Sequence, residues 1–346
     1  VTTPALSVIM TAYNAEPFVA ESVRSIQAQT TRDWELIVVN DASSDLTGAL
    51  LDDLARQDDR IRVLHRQQSG RSQALNLALA HARADLVANL DADDLATPDR
   101  LALQADYLRQ HPEVAVVGGA VQYIRERELT PVIDPSIQQP QEVKRWLPRA
   151  CCITHSTVMM RKQAVLGAGG YRDGYPPSED YDLWLRLSDG HALANLPQVL
   201  VQYRVHGSQL SGARLRPMAL STLLARLAAQ ARQQGRPEPD VAQSDAAAVL
   251  RQAGVDDATI ELTVLRLAMA RSDLLQRLGL SRASADLMWT ATDQVTPTLG
   301  RRRILTELDW HHAYCAWRDR RLGTMAWRLT VAALRQPSVL LRLFKR

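Results

Sequence analysis

Apolar positions come first as short unbroken runs and later as helical stripes, and the change of pattern divides the chain. Leu6 to Thr11 reads LSVIMT, Trp34 to Asn40 reads WELIVVN, Ile61 to His65 and Leu86 to Leu90 follow, and Val114 to Gly118 is a fifth run. Runs of this length, without polar alternation, predict strands buried on both faces. Between them, apolar residues three or four apart predict helices carrying Val19, Val23 and Ile26, then Leu50, Leu51 and Leu54, then Leu75, Leu79 and Ala82. Pro98 opens a further helix that stops near His111-Pro112. Strands and helices in alternation imply a mostly parallel sheet with helices on both faces.

Residues 125–150 break this rhythm with Pro and Gln and predict a loop with one short helix near Val143 to Leu147. Order returns at Thr154 to Met160. A turn at Gly167, Gly169 and Gly170, a helix with Tyr181, Leu183, Trp184 and Leu187, and a strand ending in Tyr203-Arg204-Val205-His206 follow. From Pro217 onward Ala, Leu, Arg and Gln recur with helical period, broken at Gly235 to Pro239, around Pro297 and Gly300, and at Pro337. Two domains are expected, residues 1–212 and a helical region 213–346. Leu274 to Val295 and Ala313 to Pro337 resemble each other too weakly to make a repeat.

Composition narrows the class. With 46% hydrophobic and 23% charged residues the chain reads as a globular protein able to bury a large core. No run of 18 apolar residues and no leader pattern are found, so a cytoplasmic protein is expected. The three cysteines, Cys151, Cys152 and Cys315, have no metal-site spacing and are expected as reduced thiols. A net charge of +3 does not announce a nucleic-acid partner, and the scarcity of lysine (Lys144, Lys162 and Lys345 only) fits coding bias as well as phosphate recognition. At the C-terminal end, Val339, Leu340, Leu341, Leu343 and Phe344 alternate with Arg342, Lys345 and Arg346. Such a tail either rests on the anionic inner face of a membrane or packs against the helical region.

In open parallel sheets ligands bind beyond the carboxyl ends of the strands. The residues there are Thr11 to Asn14, Asn40-Asp41, the turn to Arg71, and Asp91-Ala92-Asp93-Asp94. Asp91 and Asp93, two apart at the end of a buried strand, can share a hard divalent cation with substrate phosphates; elsewhere such acids more often begin a solvated helix. Asp41 can accept from a nucleobase N–H or cap the next helix, and Arg71 can lie against phosphate or solvent. Glu179 and Asp180 open a helix, where acids commonly cap.

The strings SVIMTAYNAEPFVAESVRSIQAQT, WELIVVNDASSDLT, SGRSQALNLALAHARADLVANLDADD, TPDRL, THSTVMMRK, GGY, SEDYDLWLRL and YRVHGSQLS resemble, in that order over about residues 5–212, family 2 glycosyltransferases. The resemblance implies the GT-A fold, a mixed, mostly parallel α/β sheet, and an inverting transfer from a nucleotide sugar, UDP favoured, with Mn²⁺ or Mg²⁺. The acceptor would be a glycan, a lipid-linked sugar or a protein. It implies that Thr11, Tyr13 and Asp41 hold the base, that Arg71 meets base or phosphate, and that Asp91 meets the donor. Asp93 would hold the metal with His206 near it, His155 and Trp184 would line the donor and acceptor pocket, and Asp180 would be the general base with Glu179 beside it. Thr11 stands where many members carry proline. Three rivals were weighed. An aspartate-dependent phosphohydrolase expects its nucleophile after the first strand rather than the fourth, a non-catalytic GT-A module would not need both acidic motifs, and a nucleotidyltransferase would need a Gly- and Lys-rich loop near the N-terminus.

Overall fold

The computed structural model describes residues 3–125, 128–134, 137–206, 214–241 and 245–318. The basic, apolar tail and the segment from Ala313 to Pro337, for the most part, lie outside the described residues. Contacts group the described residues of Val1–His206 and Leu224–Ser244 into one unit, and those of Gly207–Leu223 and Asp245–Arg346 into another.

In the first unit the four apolar runs form β1 (Leu6–Ala12), β2 (Trp34–Asp41), β3 (Ile61–Arg66) and β4 (Leu86–Asn89), all parallel, in the order β3-β2-β1-β4. Helices α1 (Val19–Gln27), α2 (Thr47–Gln57) and α3 (Arg71–His81) connect them. Every residue of β2 is buried, as expected of a strand covered on both faces. The register aligns Ile9 with both Ile37 and Asn89, so the loops after β1, β2 and β4 open at one edge. β1 and β4 lie side by side although two strands separate them in sequence, which makes the space beyond their ends the topological switch point where such sheets bind ligands.

Beyond β4 the sheet turns mixed: β8 (Met159–Arg161) runs antiparallel to β4, β6 (Val114–Arg125) antiparallel to β8, and β9 (Ala192–Val205) parallel to β6. The mixed sheet expected from the sequence is therefore present. Four elements depart from the reading. The fifth strand continues to Arg125, because β9 accompanies it along its whole length. The stretch read as a loop contains β7 (Glu128–Asp134), which pairs only with β6; its Pro131 and exposed Leu129 and Ile133 suit an edge strand and hide the alternation. β5 (Leu95–Ala96), antiparallel to β9, and the six-residue α6 (Lys162–Gly167) are too short to leave a periodic signal. The expected short helix exists as α5 (Pro140–Trp146), anchored by buried Val143 and Leu147.

Helix α4 (Arg100–Gln110) buries two polar residues against this sheet. Arg100 is fully buried; its guanidinium donates to the carbonyl oxygens of Asn89 at 2.6 Å and Val158 at 3.1 Å, and its Nε to Gln104. Gln104 in turn donates to the carbonyls of Val117 and Thr157. The pair thereby ties the end of β4 and the lead into β8 to the body of β6. Burial pulls the Arg100 guanidinium down to about 9, with Asp94 and Asp91 opposing. Arg100→Ala strands two buried carbonyls and leaves a cavity, and is expected to cost about 2–4 kcal/mol in a denaturant titration.

In the second unit α9 (Ala246–Gln252) and α10 (Asp257–Arg277) are each begun by an aspartate, Asp245 accepting from the Ala247 N–H and Asp256 from the Thr259 N–H. Arg216 pairs with buried Glu261 of α10. Helix α11 (Ser281–Arg318) breaks at Gly300, whose φ of 71° is not helical, where the sequence predicted an interruption. Ser272 and Ser284 hydrogen-bond at 2.7 Å between α10 and α11. Among the described residues no helix is long and apolar enough to cross a membrane.

Candidate active site

The loops at the switch point are laced together before any ligand is considered. Asn14, at φ 48°, accepts from the Ser44 N–H at 2.8 Å and offers its own N–H to Ser43 at 3.0 Å, which ties the loop after β1 to the loop after β2. Thr11 is half-buried at the end of β1, and Tyr13 stands 54% exposed beside the lacing. Asp41, buried at the end of β2, accepts from the N–H groups of Ser69 at 3.0 Å and Gly70 at 3.1 Å. Its carboxylate thus fixes the turn in which Gly70 adopts φ 91°, a conformation costly for any residue with a Cβ. The turn delivers Arg71 as the first residue of α3.

Arg71 is the hub. Its Nη2 donates to Asp91 Oδ1 at 2.7 Å and to His155 Nδ1 at 3.0 Å, and its Nε lies 2.9 Å from Glu179 Oε1. Three residues far apart in sequence meet on one guanidinium. Burial works to raise the Asp91 carboxyl, but Arg71 prevails and holds it well below the usual range. His155, buried in a 3-10 turn, receives N–H groups from Arg71 and Asn89 on Nδ1, so its proton resides on Nε2 and points to the Tyr171 hydroxyl at 2.9 Å. Trp184 is fully buried, its ring 6.1 Å from that of His155, and so it supports the histidine from behind instead of lining an open surface.

Glu179 and Asp180 begin α7 (Glu179–Leu187). The helix start is anchored by Asp182, whose buried carboxylate is shared by Arg172 and Arg186, while Arg186 also reaches the carbonyls of Ala168 and Gly170. Tyr181 donates to the Leu147 carbonyl at 2.6 Å and receives Arg226 at 3.1 Å. Asp180 itself accepts from the following N–H, at 2.7 Å. Burial foremost, with Glu179 adding, pushes its carboxyl up to about 6, against the opposing pull of Arg71. A carboxyl poised there is ionised at neutral pH yet basic enough to take a proton.

On the other side of the acidic loop, oxygens of Asp91, Asp93 and Asp94 lie within 4.8 Å of one another. Their circumstances differ. Asp91 is committed to Arg71; Asp94 is fully buried, accepts from the Arg204 N–H at 2.9 Å, and is driven far up by burial with Asp93 and Asp91 nearby. Asp93 Oδ2 is 2.9 Å from His206 Nε2, a carboxylate and an imidazole side by side at the rim. That pair, with a second carboxylate close by, fits a hard divalent cation such as Mg²⁺ or Mn²⁺ better than a soft one.

Residues 7–167 match the family model described as glycosyl transferase family 2. Over 205 residues the chain is 31% identical to the O-antigen biosynthesis glycosyltransferase WbnJ of Escherichia coli, spanning 58% of this chain and 80% of that one. The chain belongs to glycosyltransferase family 2. Its fold is shared with S. aureus TarS 1-349 in complex with UDP-GlcNAc (TM-score 0.55, 14% identity, 96% of this chain and 92% of that one). It is shared too with the Pyrobaculum calidifontis mannosyltransferase PcManGT in complex with GDP-Man and Mn²⁺ (TM-score 0.54, 19% identity, 96% and 87%). By its family and by its likeness to WbnJ, the chain is a glycosyltransferase.

Of the residues singled out from sequence, Arg71, Asp91, His155, Glu179 and Asp180 form one cluster and Asp93 with His206 a second at its edge. Thr11, Tyr13 and Asp41 sit on the β1–β2 side of the same opening. Sequence reading missed Asn89, Tyr171, Arg100, Asp182 and Arg204. Their one local signal is a polar residue where the pattern calls for an apolar one, as with Arg100 and Gln104 on the face that carries Leu101 and Leu108.

Proposed function

We propose that the chain transfers a sugar from a nucleotide-sugar donor, a UDP-sugar, to an acceptor hydroxyl with inversion, in the assembly of a bacterial surface polysaccharide, and that residues 1–212 carry the reaction. One observation carries the reading: Asp180, with its carboxyl at about 6, shares an opening with Arg71 and the acidic loop. Exposed Tyr13 can stack on the base, Asp41 and Thr11 border it, and Arg71 can turn from Asp91 toward the diphosphate. Asp93 and His206 would hold a divalent cation, which when bound neutralises the charge that grows on the departing diphosphate. Asp180 takes the proton of the acceptor hydroxyl as the oxygen attacks the anomeric carbon, and His155, held by Arg71 and Asn89, shapes the pocket floor. One displacement inverts the centre. The biosynthetic setting rests on the likeness to WbnJ, and the UDP donor on family resemblance and the shared fold of TarS.

Thermal shift against a panel of nucleotide sugars with Mn²⁺ tests this: one donor should raise the melting temperature and a chelator should remove the shift. No stabilisation by any nucleotide or nucleotide sugar would count against the donor class. The proposed base also sets a pH dependence. Turnover should fall with acid along a limb centred near 6 as Asp180 takes up its proton; a limb near 4 or none would remove Asp180 from that role.

A further inference from the structure

Arg204 is a charged residue only 3% exposed, at a position where β9 would otherwise end as an ordinary strand. Each part of it has a separate partner. Its backbone N–H donates to Asp94 Oδ1 at 2.9 Å, its Nε to the carbonyl oxygen of Asp93 at 2.8 Å, and its Nη2 to Glu21 of α1 at 2.8 Å. The guanidinium carbon stands 5.1 Å from the centre of the Phe18 ring, and the same ring packs 4.9 Å from the imidazole of His206. Three separate pieces of chain are thereby clamped by one side chain: β9, the acidic loop and the start of α1.

The consequence falls on Asp93. Its carbonyl is fixed by the Nε of Arg204 while its carboxylate meets the imidazole of His206, two residues further along the chain and just past the end of β9. With the backbone of Asp93 pinned and His206 backed by Phe18, the two rim groups can hold their 2.9 Å spacing without a ligand. A flexible lysine could not make this arrangement, because only the planar fork presents Nε and Nη2 to two acceptors in fixed directions. Glu21, 43% exposed, supplies the counter-charge on the solvent side.

Resting on the metal reading above, we propose that Arg204 is a positioning residue for the cation site: with Phe18 and Glu21 it holds Asp93 and His206 in register, so that it governs metal affinity without touching metal or substrate. Supporting groups behind metal ligands are worth about 10–100-fold in affinity. Titration of the full chain with Mn²⁺ alone, followed by the electron paramagnetic resonance of the free ion and repeated with UDP, should show Arg204→Lys binding about 10–100-fold more weakly. Glu21→Gln, at a part-exposed site that tolerates the change, should weaken binding in the same direction and less. Turnover of Arg204→Lys should recover with excess Mn²⁺, which a folding defect would not allow. Wild-type Mn²⁺ affinity in both variants, with Asp93→Ala unable to bind, overturns the role of Arg204 and leaves the metal reading intact. Loss of binding in Arg204→Lys that tracks metal-free unfolding, with Glu21→Gln unchanged, also overturns it. If the wild-type chain takes up no Mn²⁺ even with UDP, the metal reading falls and the positioning role with it.

Discussion

Asp180→Asn should lower kcat by about 10² to 10⁴ while leaving donor binding unchanged. The amide keeps the size of the side chain and can still accept from the Tyr181 N–H, so α7 has no reason to move. What disappears is the proton acceptor. The same substitution has a second signature that a helix-capping role lacks. In the folded chain Asp180 binds its proton up to about pH 6, against an ordinary value of 3.8, so its protonated form assists folding at low pH. That contribution is present below about pH 4 and is lost as the pH rises through 6. Above 6 the ionised group is a burden that asparagine does not carry. Asp180→Asn should therefore unfold later than wild type at pH 8, by about 1–3 kcal/mol, and with little difference at pH 4. A dead enzyme that is more stable at pH 8 identifies a strained functional carboxylate. A dead enzyme that is less stable points to a structural acid, and Glu179→Gln then becomes the next substitution to make.

Asp93→Ala should remove the metal-dependent part of nucleotide binding. Asp91 is already engaged by Arg71 and Asp94 by the Arg204 N–H, so neither has the freedom to replace the carboxylate at the rim. Calorimetry of UDP with and without Mn²⁺ should show a gain on adding metal in the wild type. In the variant that gain should fall by about 100-fold or more. Residual binding through Tyr13 and the β1–β2 loops should remain, since the lacing of Asn14 to Ser43 and Ser44 lies apart from the cation pair. Undiminished metal-dependent binding by Asp93→Ala would move the cation elsewhere.

The half of the fold that builds the site was legible for a physical reason. Strands buried on both faces must be apolar at every position, so β1 to β4 stand out as LSVIMT, WELIVVN and their successors, and the polar residues that end them mark the ligand edge. β7 did not stand out because an edge strand can carry Pro131 and polar neighbours at no cost to a ladder it does not complete. The cluster on Arg71 was legible only as separate motifs: nothing local in Gly70-Arg71 or Glu179-Asp180 tells that they meet across the sheet. The unlike fates of the neighbouring acids Asp91, Asp93 and Asp94 also depend on tertiary partners, Arg71 for one, His206 for the next, burial beneath Arg204 for the third. Arg204 itself read as part of a motif and not as a clamp, because its three partners come from loops and a helix distant in sequence.

The proposed reaction is a single displacement assisted by Asp180, and proton NMR of the slow hydrolysis of the donor, with water standing in for the acceptor, observes that displacement without knowledge of the acceptor. Early in the reaction, before the free sugar equilibrates, the sugar released from an α-linked nucleotide donor should appear as the β anomer, and Asp180→Asn should suppress its release. First appearance of the α anomer, or release undiminished in Asp180→Asn, would contradict it.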